Sequence, residues 1–532
     1  MTAWTMKRIN WRLVVIGCAL GAGIALRFLG LNWGLPQNLN PDEWVIVTGA
    51  LDLAQRNSFE PSLYFRPDHV EIQLSYIAYQ AYAHLVVHAP VEAAYAADPG
   101  VFLLISRMIT ALFGVASVVL AYFIGRRFNR SIAVIAAVLF SLFPLFVEHS
   151  HFASPDVPLT AALMAVVLAL MHYMERPGYP SLLLACAATA VAVAIKYPGA
   201  IATAMIAVIV VFAAVRDRKY ARVLSHGIAA IVAVFVFLFF ISPVLFTNFQ
   251  AVMTSIGEEA RSTHAGADGL GWGGNLGFYA NEFFGVSGIL LSALALIGAW
   301  VVVHRRLVTV LPALLGLFFW VIMSAVPLHW ERWGVPMVIS PLILASIGIY
   351  YSSTYAAEHF PENRWRKPVM VSVAVVIGAN LLVGSLALVV AFLAPDTRIV
   401  SAERLSEKGM TASNTVFEGY STFIPGSPKT IFGDFKTVDG RLVAADPSRK
   451  FVLTSSCMND RYFQNTKYSE QRHFYDQIDS QFDLELRVTP GVRTRNNSAF
   501  EGLNILRGTE IVRAFMNGGT GGCTLSAYRI VP

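Results

Sequence analysis

The sequence predicts a polytopic α-helical membrane protein that ends in a small extracytoplasmic domain of the α/β or α+β class. The chain is 55% hydrophobic and only 14% charged, with a mean hydropathy of +0.56, which is typical of chains that cross a membrane many times. About eleven apolar runs approach the roughly 20 residues that a spanning helix needs. After residue 394, strand-like runs separated by Pro, Gly and Asp replace them, which favours a separate domain.

The apolar runs follow one another through residues 1–394, which we interpret as the membrane domain. The predicted spans are 12–33, 101–124, 131–147, 157–174, 181–197, 199–215, 225–246, 287–303, 307–326, 335–354 and 368–394. The first run has the position of a secretory signal. Its length, its interruption by Arg27 and the lack of a small-residue cleavage site predict an uncleaved helix instead. We expect Arg27 to form a buried ion pair or to bind a lipid phosphate.

The distribution of Lys and Arg predicts the orientation of these spans. Basic residues concentrate in alternate loops, as in the turn with Arg126, Arg127 and Arg130, and such loops face the cytoplasm. The N-terminus is therefore predicted inside, and Asp42 and Glu43 outside. An odd number of spans places the C-terminal domain outside as well. The net charge of +6 therefore reflects the orientation of the spans and does not indicate nucleic-acid binding.

Most of the non-membrane length lies on the predicted outer side. The first outer loop, about 34–100, is too long for a simple connection, and its segment 43–57 has the pattern of an amphipathic helix lying on the membrane. A second, Gly-rich outer loop covers about 247–286. In the tail, residues 395–532, the run TVFEGY has a strand-like pattern.

Ionisable residues beside the spans are the candidate site residues, because charge at membrane depth is costly. They are Asp42, Glu43, Arg66, Asp156, Lys196, His329, Glu331 and Arg332. Each also has a structural explanation. Asp42 and Asp156 stand where helix N-caps are common, Lys196 could reach the headgroups, and Arg332 could pair with its neighbour Glu331 or anchor at the interface. A histidine in such a position is more often interfacial than a ligand.

Four of these residues nevertheless converge. Asp42, Asp156, Lys196 and Arg332 come from separate segments, yet the topology places all of them at one membrane face. There, cations can hold a lipid phosphate and a carboxylate can take a proton from an attacking hydroxyl.

Several stretches resemble the GT-C glycosyltransferases of the protein O-mannosyltransferase and aminoarabinose transferase type. They are LRFLGLNWGLPQNLNPDEW (26–44), SRMITALFGVASVVLAYFIGRRF (106–128), FPLFVEHSHFASPDVPL (143–159), AVAIKYPGA (192–200) and HWERWGVPMVISPLILA (329–345). In the last stretch Trp333 replaces the usual Tyr. The 26–44 and 329–345 stretches are the more specific ones. The resemblance implies a GT-C membrane domain with an extracytoplasmic C-terminal domain.

The resemblance also implies an inverting transfer from a polyprenyl-phosphate-linked sugar to an acceptor hydroxyl. The expected catalytic residues are Asp42 as base and Glu43. The expected substrate-binding residues are Asp156, Lys196, Arg332, Glu331, Arg66 and His329. Many relatives need no metal, so no cofactor is expected, although the clustered acids leave a divalent cation open. The expected partners are the donor, a glycan, lipid or protein acceptor, and membrane lipids, with no nucleic acid.

Localisation in a bacterial inner membrane, with the active site outside, follows from the same resemblance. Two alternatives of another class stay open. A lipid-linked-sugar flippase would carry charges at mid-membrane and paired halves with broken helices, and a non-catalytic subunit would only bind prenyl lipid. Cys457 and Cys523 are the only cysteines of the tail, and an extracytoplasmic tail predicts a disulfide between them.

Overall fold

The computed structural model of the protein describes residues 11–64, 66–492 and 505–531. Helices account for most of the chain up to Leu393, one residue before the predicted boundary of the membrane domain. They are α1 Trp11–Leu26, α2 Pro41–Arg56, α3 His69–Tyr82, α4 Val91–Ala97, α5 Pro99–Arg126, α6 Arg130–Leu142, α7 Pro144–His149, α8 Asp156–Glu175, α9 Tyr179–Ile195, α10 Ile201–Arg216, α11 Ala221–Ile241, α12 Val244–Thr247, α13 Phe249–Glu259, α14 Gly271–His304, α15 Leu315–Met323, α16 Ile339–His359 and α17 Arg366–Leu393.

The described residues contain 7 helical segments long and apolar enough to cross a membrane, together with four shorter apolar helical segments. Each predicted span coincides with one of them, which confirms the polytopic helical class. The main difference is α14, which begins at Gly271 and not near residue 287. Gly288 has φ 74° and kinks this helix, so the apolar run that the sequence shows is only the part beyond the kink. Glycine suits the kink because this backbone region is strained for other residues.

Arg27 forms no ion pair with the described residues, and its full burial does not fit the expected contact with a lipid phosphate. Its fully buried guanidinium donates to the carbonyl of Gly23 at 2.6 Å and to those of Ser141 and Phe140 at 2.7 and 2.8 Å. Pro144 has no N–H group to offer the Phe140 carbonyl four residues earlier. Arg27 supplies the missing donor and so ties α1 to the end of α6.

Two helical segments form the centre of the membrane domain. In Asp156–Glu175 and in Glu331–His359, 83% of the most apolar window is buried, against 28% in Ala221–Ile241. The first central segment begins with the predicted site residue Asp156, and the second begins with two such residues, Glu331 and Arg332. Packing encloses the side chain of Asp156, which is 1% exposed, whereas that of Arg332 is 27% exposed.

The C-terminal part is a mixed α+β domain. Its elements are α18 Thr397–Glu407, β1 Thr415–Phe417, β2 Phe435–Val438, β3 Arg441–Ala444, β4 Phe451–Ser455, α19 Ser456–Phe463, α20 Ser469–Gln481, β5 Asp483–Val488, α21 Ile505–Met516 and β6 Leu525–Arg529. One sheet has the order β1-β4-β6-β5, with β1 parallel to β4 and the other pairs antiparallel; β2 and β3 form a separate hairpin. Val452 of the central strand β4 pairs with Val416 on one side and Tyr528 on the other.

Two further contacts fix this domain. The predicted disulfide between Cys457 and Cys523 is present, with the Cα atoms 5.5 Å apart, and it joins the start of α19 to the segment before β6. Helix α21 packs against α17 so closely that a Cβ on Gly508 would lie 2.6 Å from Val383. The tail therefore contacts the membrane domain along a helix, which the sequence did not predict.

Candidate active site

The candidate site starts at the N-terminus of α2. The N-cap is Asn40, whose side chain accepts a hydrogen bond from the backbone N–H of Asp42 at 3.0 Å. Pro41 takes the first helical position, where the absence of its N–H costs nothing. The capping explanation of Asp42 is therefore wrong, and its carboxylate is available for other contacts. The Asn-Pro pair was the sequence signal for this cap.

Asp42 is shared by two arginines from distant segments. One carboxylate oxygen lies 2.6 Å from Nη1 of Arg332, and the other lies 3.3 Å from Nη1 of Arg66. The side chain of Asp42 is 25% exposed and that of Arg332 is 27% exposed. Solvent and ligands can therefore reach both groups.

Asp156 and Lys196 extend this arrangement. Lys196 donates to Asp156 at 2.7 Å, and Nε of Arg332 lies 4.0 Å from the other oxygen of Asp156. Lys196 follows the last residue of α9 in an extended conformation. The chain then turns back so tightly that a Cβ on Gly199 would lie 2.4 Å from the Ala192 carbonyl. Lys196 is thus directed to Asp156 and not to the headgroups.

We call Asp42, Arg66, Asp156, Lys196 and Arg332 the ion-pair network. It brings together the four residues on which the sequence argument rested and also Arg66. Burial alone would raise the pKa of Asp42, but the charges of Arg332, Arg66 and Lys196 outweigh it and lower that pKa to about 2. Asp42 is therefore ionised at neutral pH.

Glu43 is not part of this network. Its two oxygens accept from Nε and Nη2 of Arg107 at 2.7 and 2.8 Å, and one of them also accepts from the backbone N–H of Ala153 at 3.0 Å. Both charged side chains are fully buried. Glu43 thereby joins α2 to α5 and to the loop before Asp156.

Sequence reasoning missed two members of this region, Arg107 and Asp68. Asp68 accepts from Nε of Arg66 at 2.6 Å and is fully buried. Burial raises the pKa of Asp68 to about 6 in spite of Arg66. The motif Arg-Pro-Asp at 66–68 was a signal for this pair, whereas nothing local to Arg107 points to Glu43.

A cavity of about 580 Å³ opens beside Arg332. We call it the junction pocket; it is lined by Glu148, His149, His329, Glu331 and Arg332 of the membrane domain and by Arg461 of α19, among others. Two predicted substrate-binding residues, His329 and Glu331, thus lie at the pocket and not in the ion-pair network. Within the described part of the chain, no group of three or more His, Cys, Asp or Glu side chains is arranged to hold a metal ion.

Comparisons with known proteins address the fold. Residues 103–246 match the family model for dolichyl-phosphate-mannose-protein mannosyltransferase. The structure is similar to that of the archaeal oligosaccharyltransferase AglB from Archaeoglobus fulgidus in complex with an inhibitory peptide and a dolichol-phosphate. The TM-score is 0.51 at 12% identity, over 92% of this chain and 74% of that chain. The fold is that of the GT-C glycosyltransferases.

Other comparisons are weaker or of the same kind. The apo form of the Archaeoglobus fulgidus oligosaccharyltransferase gives a TM-score of 0.53 at 13% identity, over 92% of this chain and 74% of that chain. ArnT from Cupriavidus metallidurans bound to undecaprenyl phosphate gives 0.46 at 15% identity, over 77% of this chain and 83% of that chain. No curated protein matches the sequence.

The family-model match over residues 103–246 and the shared fold confirm the predicted resemblance, and the apolar helices support an integral membrane protein. Asp156 and Lys196 fall within the matched segment 103–246, whereas Asp42 and Arg332 lie outside it.

Proposed function

We propose that this protein is an inverting glycosyltransferase that moves a sugar from a polyprenyl-phosphate donor to an acceptor hydroxyl at the extracytoplasmic membrane face. The observation that carries the proposal is the position of Asp42, a partly exposed carboxylate held between Arg66 and Arg332, with Arg332 lining the junction pocket. The GT-C fold and the match over residues 103–246 support it.

In the proposed step, Asp42 accepts the proton of the acceptor hydroxyl while the hydroxyl oxygen attacks the anomeric carbon of the donor sugar. The bond from that carbon to the phosphate oxygen breaks, and its electron pair leaves with the phosphate. The configuration inverts because the incoming oxygen and the leaving phosphate occupy opposite faces of the sugar. Since phosphate leaves as an anion, cations stabilise it better than a general acid would.

Arg332 is the cation best placed for this role. Its guanidinium contacts Asp42 at 2.6 Å and lies near Asp156, and it remains partly exposed. Because guanidinium groups bind phosphate in a bidentate fashion, a bound donor would compete with Asp42 for Arg332. Losing this partner would raise the pKa of Asp42 from about 2 and make it a stronger base. Donor binding would thereby activate the base.

The other predicted residues have supporting roles in this mechanism. Lys196, held by Asp156 at 2.7 Å, would add a second positive charge for the phosphate. Arg66 would keep Asp42 in place from the opposite side, at 3.3 Å. Glu43 would position Asp42 through its contacts with α5, and not by touching substrate.

The lipid part of the donor would lie beside α2. Trp44, two residues after Asp42, and Ile77 on α3 are each about half exposed, and such apolar surface suits a prenyl chain. The AglB structure contains a dolichol-phosphate, an isoprenoid phosphate of this kind. The distribution of Lys and Arg supports an extracytoplasmic site, and we assign the protein to the bacterial inner membrane.

We propose that no metal ion is required, because Arg66, Lys196 and Arg332 already supply positive charge around Asp42 and Asp156. Transfer measured before and after dialysis against EDTA should then be equal. Loss of transfer that Mg²⁺ or Mn²⁺ restores would contradict this part of the proposal.

The test of the function is transfer of radiolabelled sugar from short-chain prenyl-phosphate donors by the purified protein in detergent, with crude envelope extract as the source of acceptors. We expect label in an acceptor and release of prenyl phosphate. A flippase would move the intact donor across vesicles without cleaving it. A non-catalytic subunit would bind the donor and leave it intact. Either result would refute the proposal.

A further inference from the structure

The junction pocket has walls from both parts of the chain. The membrane domain contributes His149, His329 and Arg332, and the C-terminal domain contributes Arg461 of α19 and Asn465, which follows that helix. Its volume of about 580 Å³ lies within the range of roughly 300–1,000 Å³ of small-molecule sites. A ligand that fills this pocket therefore lies between Arg332, which pairs with Asp42, and the C-terminal domain.

The C-terminal wall is fixed in position. Lys467 donates to the nearly buried Asp268 of the second outer loop at 2.8 Å, and the disulfide at Cys457 holds the start of α19. Gly266 has φ 79°, and a Cβ there would lie 3.2 Å from the Cβ of Arg461. These contacts hold the end of α19 against the membrane domain, so the pocket is preformed.

The lining combines aromatic rings with neutral polar groups. Phe152, Phe278 and Trp330 provide rings, and Gln464 and Asn465 provide amides that both donate and accept. Flat apolar faces bounded by a few polar groups suit a pyranose ring, which has an apolar C–H face and a rim of hydroxyls.

One polar group of the C-terminal wall is available for a ligand, the side-chain amide of Asn465. Asn465 uses its side-chain oxygen to cap the turn after α19, where it accepts from Lys467 N–H at 3.1 Å, and its NH₂ group is left to donate.

The charges in the lining do not favour an anionic ligand. Glu148, Asp268 and Glu331 are acidic, and Arg332 and Arg461 are basic, so neither sign dominates. A peptide acceptor would use an open sheet edge or an extended groove, whereas α19 closes this pocket on one side.

We propose that the junction pocket is the subsite for a neutral pyranose of the acceptor, and that Asn465 is a specificity-determining residue there. The inference rests on the proposed function and deepens it: the acceptor is a glycan, and the C-terminal domain selects it.

The test is binding, so it does not depend on turnover. Full-length protein in detergent is mixed with methyl α-pyranosides of mannose, glucose and galactose, and separately with a Ser/Thr-containing peptide, and saturation-transfer NMR is recorded. We expect at least one glycoside to bind, with saturation of its C–H face, and the peptide not to bind. Binding of the peptide alone, or of neither probe, would overturn the proposal.

The matched variants are Asn465→Asp and Asn459→Asp. Asp caps as well as Asn, so Asn465→Asp keeps the turn, replaces the NH₂ donor by a carboxylate oxygen and adds a negative charge; we expect glycoside affinity to fall about five- to tenfold with an unchanged melting temperature. Asn459 lies on α19 and lines a different cavity, so Asn459→Asp adds the same charge away from the junction pocket and should bind like the parent. Equal binding by all three proteins would refute the role of Asn465.

A competition experiment separates the acceptor sugar from the donor sugar. If the pocket holds the acceptor, the glycoside stays bound in the presence of saturating short-chain prenyl-phosphate sugar. Displacement by that donor, but not by sugar-free prenyl phosphate, would overturn the acceptor assignment. Failure of the transfer assay with intact glycoside binding would refute the proposed enzyme and leave the pocket a sugar site.

Discussion

Asp42 and Glu43 are neighbours in the chain and have opposite environments. Glu43 is fully buried, and both of its oxygens are bound by Arg107. Asp42 is a quarter exposed and shares two arginines with other acids. A carboxylate whose partners are complete and buried stabilises the fold. One whose partners are shared and accessible can exchange them for a substrate.

Helix geometry is the cause of this difference. Successive residues at a helix start point about 100° apart, so one side chain of the pair enters the protein between α2 and α5 and the other turns to the ion-pair network. A buried bidentate pair is costly to break because the remaining charge has no water. The partly hydrated contacts of Asp42 are cheaper to rearrange.

The largest expected effect is on turnover, which substitution of Asp42 should lower far more than substitution of Glu43. Asp42→Asn removes the base but keeps the shape, and because Asn40 is the cap, the helix should keep its stability. Turnover should fall by roughly 10²–10⁴-fold while affinity for short-chain prenyl phosphate persists. Transfer rate and donor affinity are measured for Asp42→Asn and for Glu43→Gln as control, which should retain more activity. An Asp42→Asn enzyme with near-parental turnover would remove Asp42 from the mechanism.

The next effect is on the stability of the fold, which should depend more on the ion pair of Glu43 than on the contacts of Asp42. Arg107→Met leaves Glu43 buried without its cation, and such losses cost about 3–5 kcal/mol. The melting temperature in detergent should fall sharply, whereas Arg332→Met, which removes a side chain that is 27% exposed in the ion-pair network, should lower it less. The double variant Glu43→Leu/Arg107→Met should recover much of the loss, since an apolar pair replaces a buried ion pair at little cost. Equal melting temperatures for the two single variants would contradict the comparison.

A smaller effect concerns the affinity for prenyl phosphate, which would replace the carboxylates as partner of Arg332 and Lys196. Arg332→Ala and Lys196→Ala should each weaken prenyl-phosphate binding by about 10- to 100-fold, because a charge-assisted hydrogen bond contributes roughly 1.5–3 kcal/mol. Arg56, which pairs with Asp52 on the exposed face of α2, is the control, and Arg56→Ala should bind like the parent. Binding is measured by titration of short-chain prenyl phosphate. Unchanged affinity in both site variants would mean that Arg332 and Lys196 only form ion pairs within the protein and do not bind the phosphate.

The smallest effect concerns a third acid, the buried Glu418 of the C-terminal domain. Its hydrogen-bond partners are Ser455 N–H and the Tyr475 hydroxyl, and burial raises its pKa from 4.5 to about 8. The folded state then holds the proton more tightly, so stability should decline as pH rises from about 4.5 to about 8. Asp42 has the opposite sign: its contribution is present above about pH 4 and is lost as pH falls towards about 2.

Melting temperatures of the full chain at pH 5 and pH 8 check the Glu418 prediction. Glu418→Gln cannot ionise, so the difference between the two pH values should shrink by a few degrees. Glu470→Gln, on the exposed first turn of α20, should leave the difference as it is in the parent. A Glu418→Gln profile identical to the parent's would show that this acid does not titrate in the window.

The sequence by itself determined the apolar spans and grouped four residues that the structure brings together. Hydropathy and the number of basic residues in a loop are properties of short segments. They predict the side of the membrane on which each loop lies, because successive loops must alternate between the two sides. For this reason Asp42, Asp156, Lys196 and Arg332 could be grouped without a structure. The disulfide between Cys457 and Cys523 followed from the same topology.

Only the tertiary structure decided how these charges pair. Arg107 is 64 residues from Glu43, and Arg332 is far from Asp42 in the chain, so no local period relates them. Which acid is enclosed depends on how α2 packs against α5. The same holds for the junction pocket, whose C-terminal wall at α19 meets the membrane domain through Lys467 and Asp268. Local patterns determine where a charge lies along the membrane normal, whereas the packing of distant segments determines which charge it meets and whether a substrate can reach it.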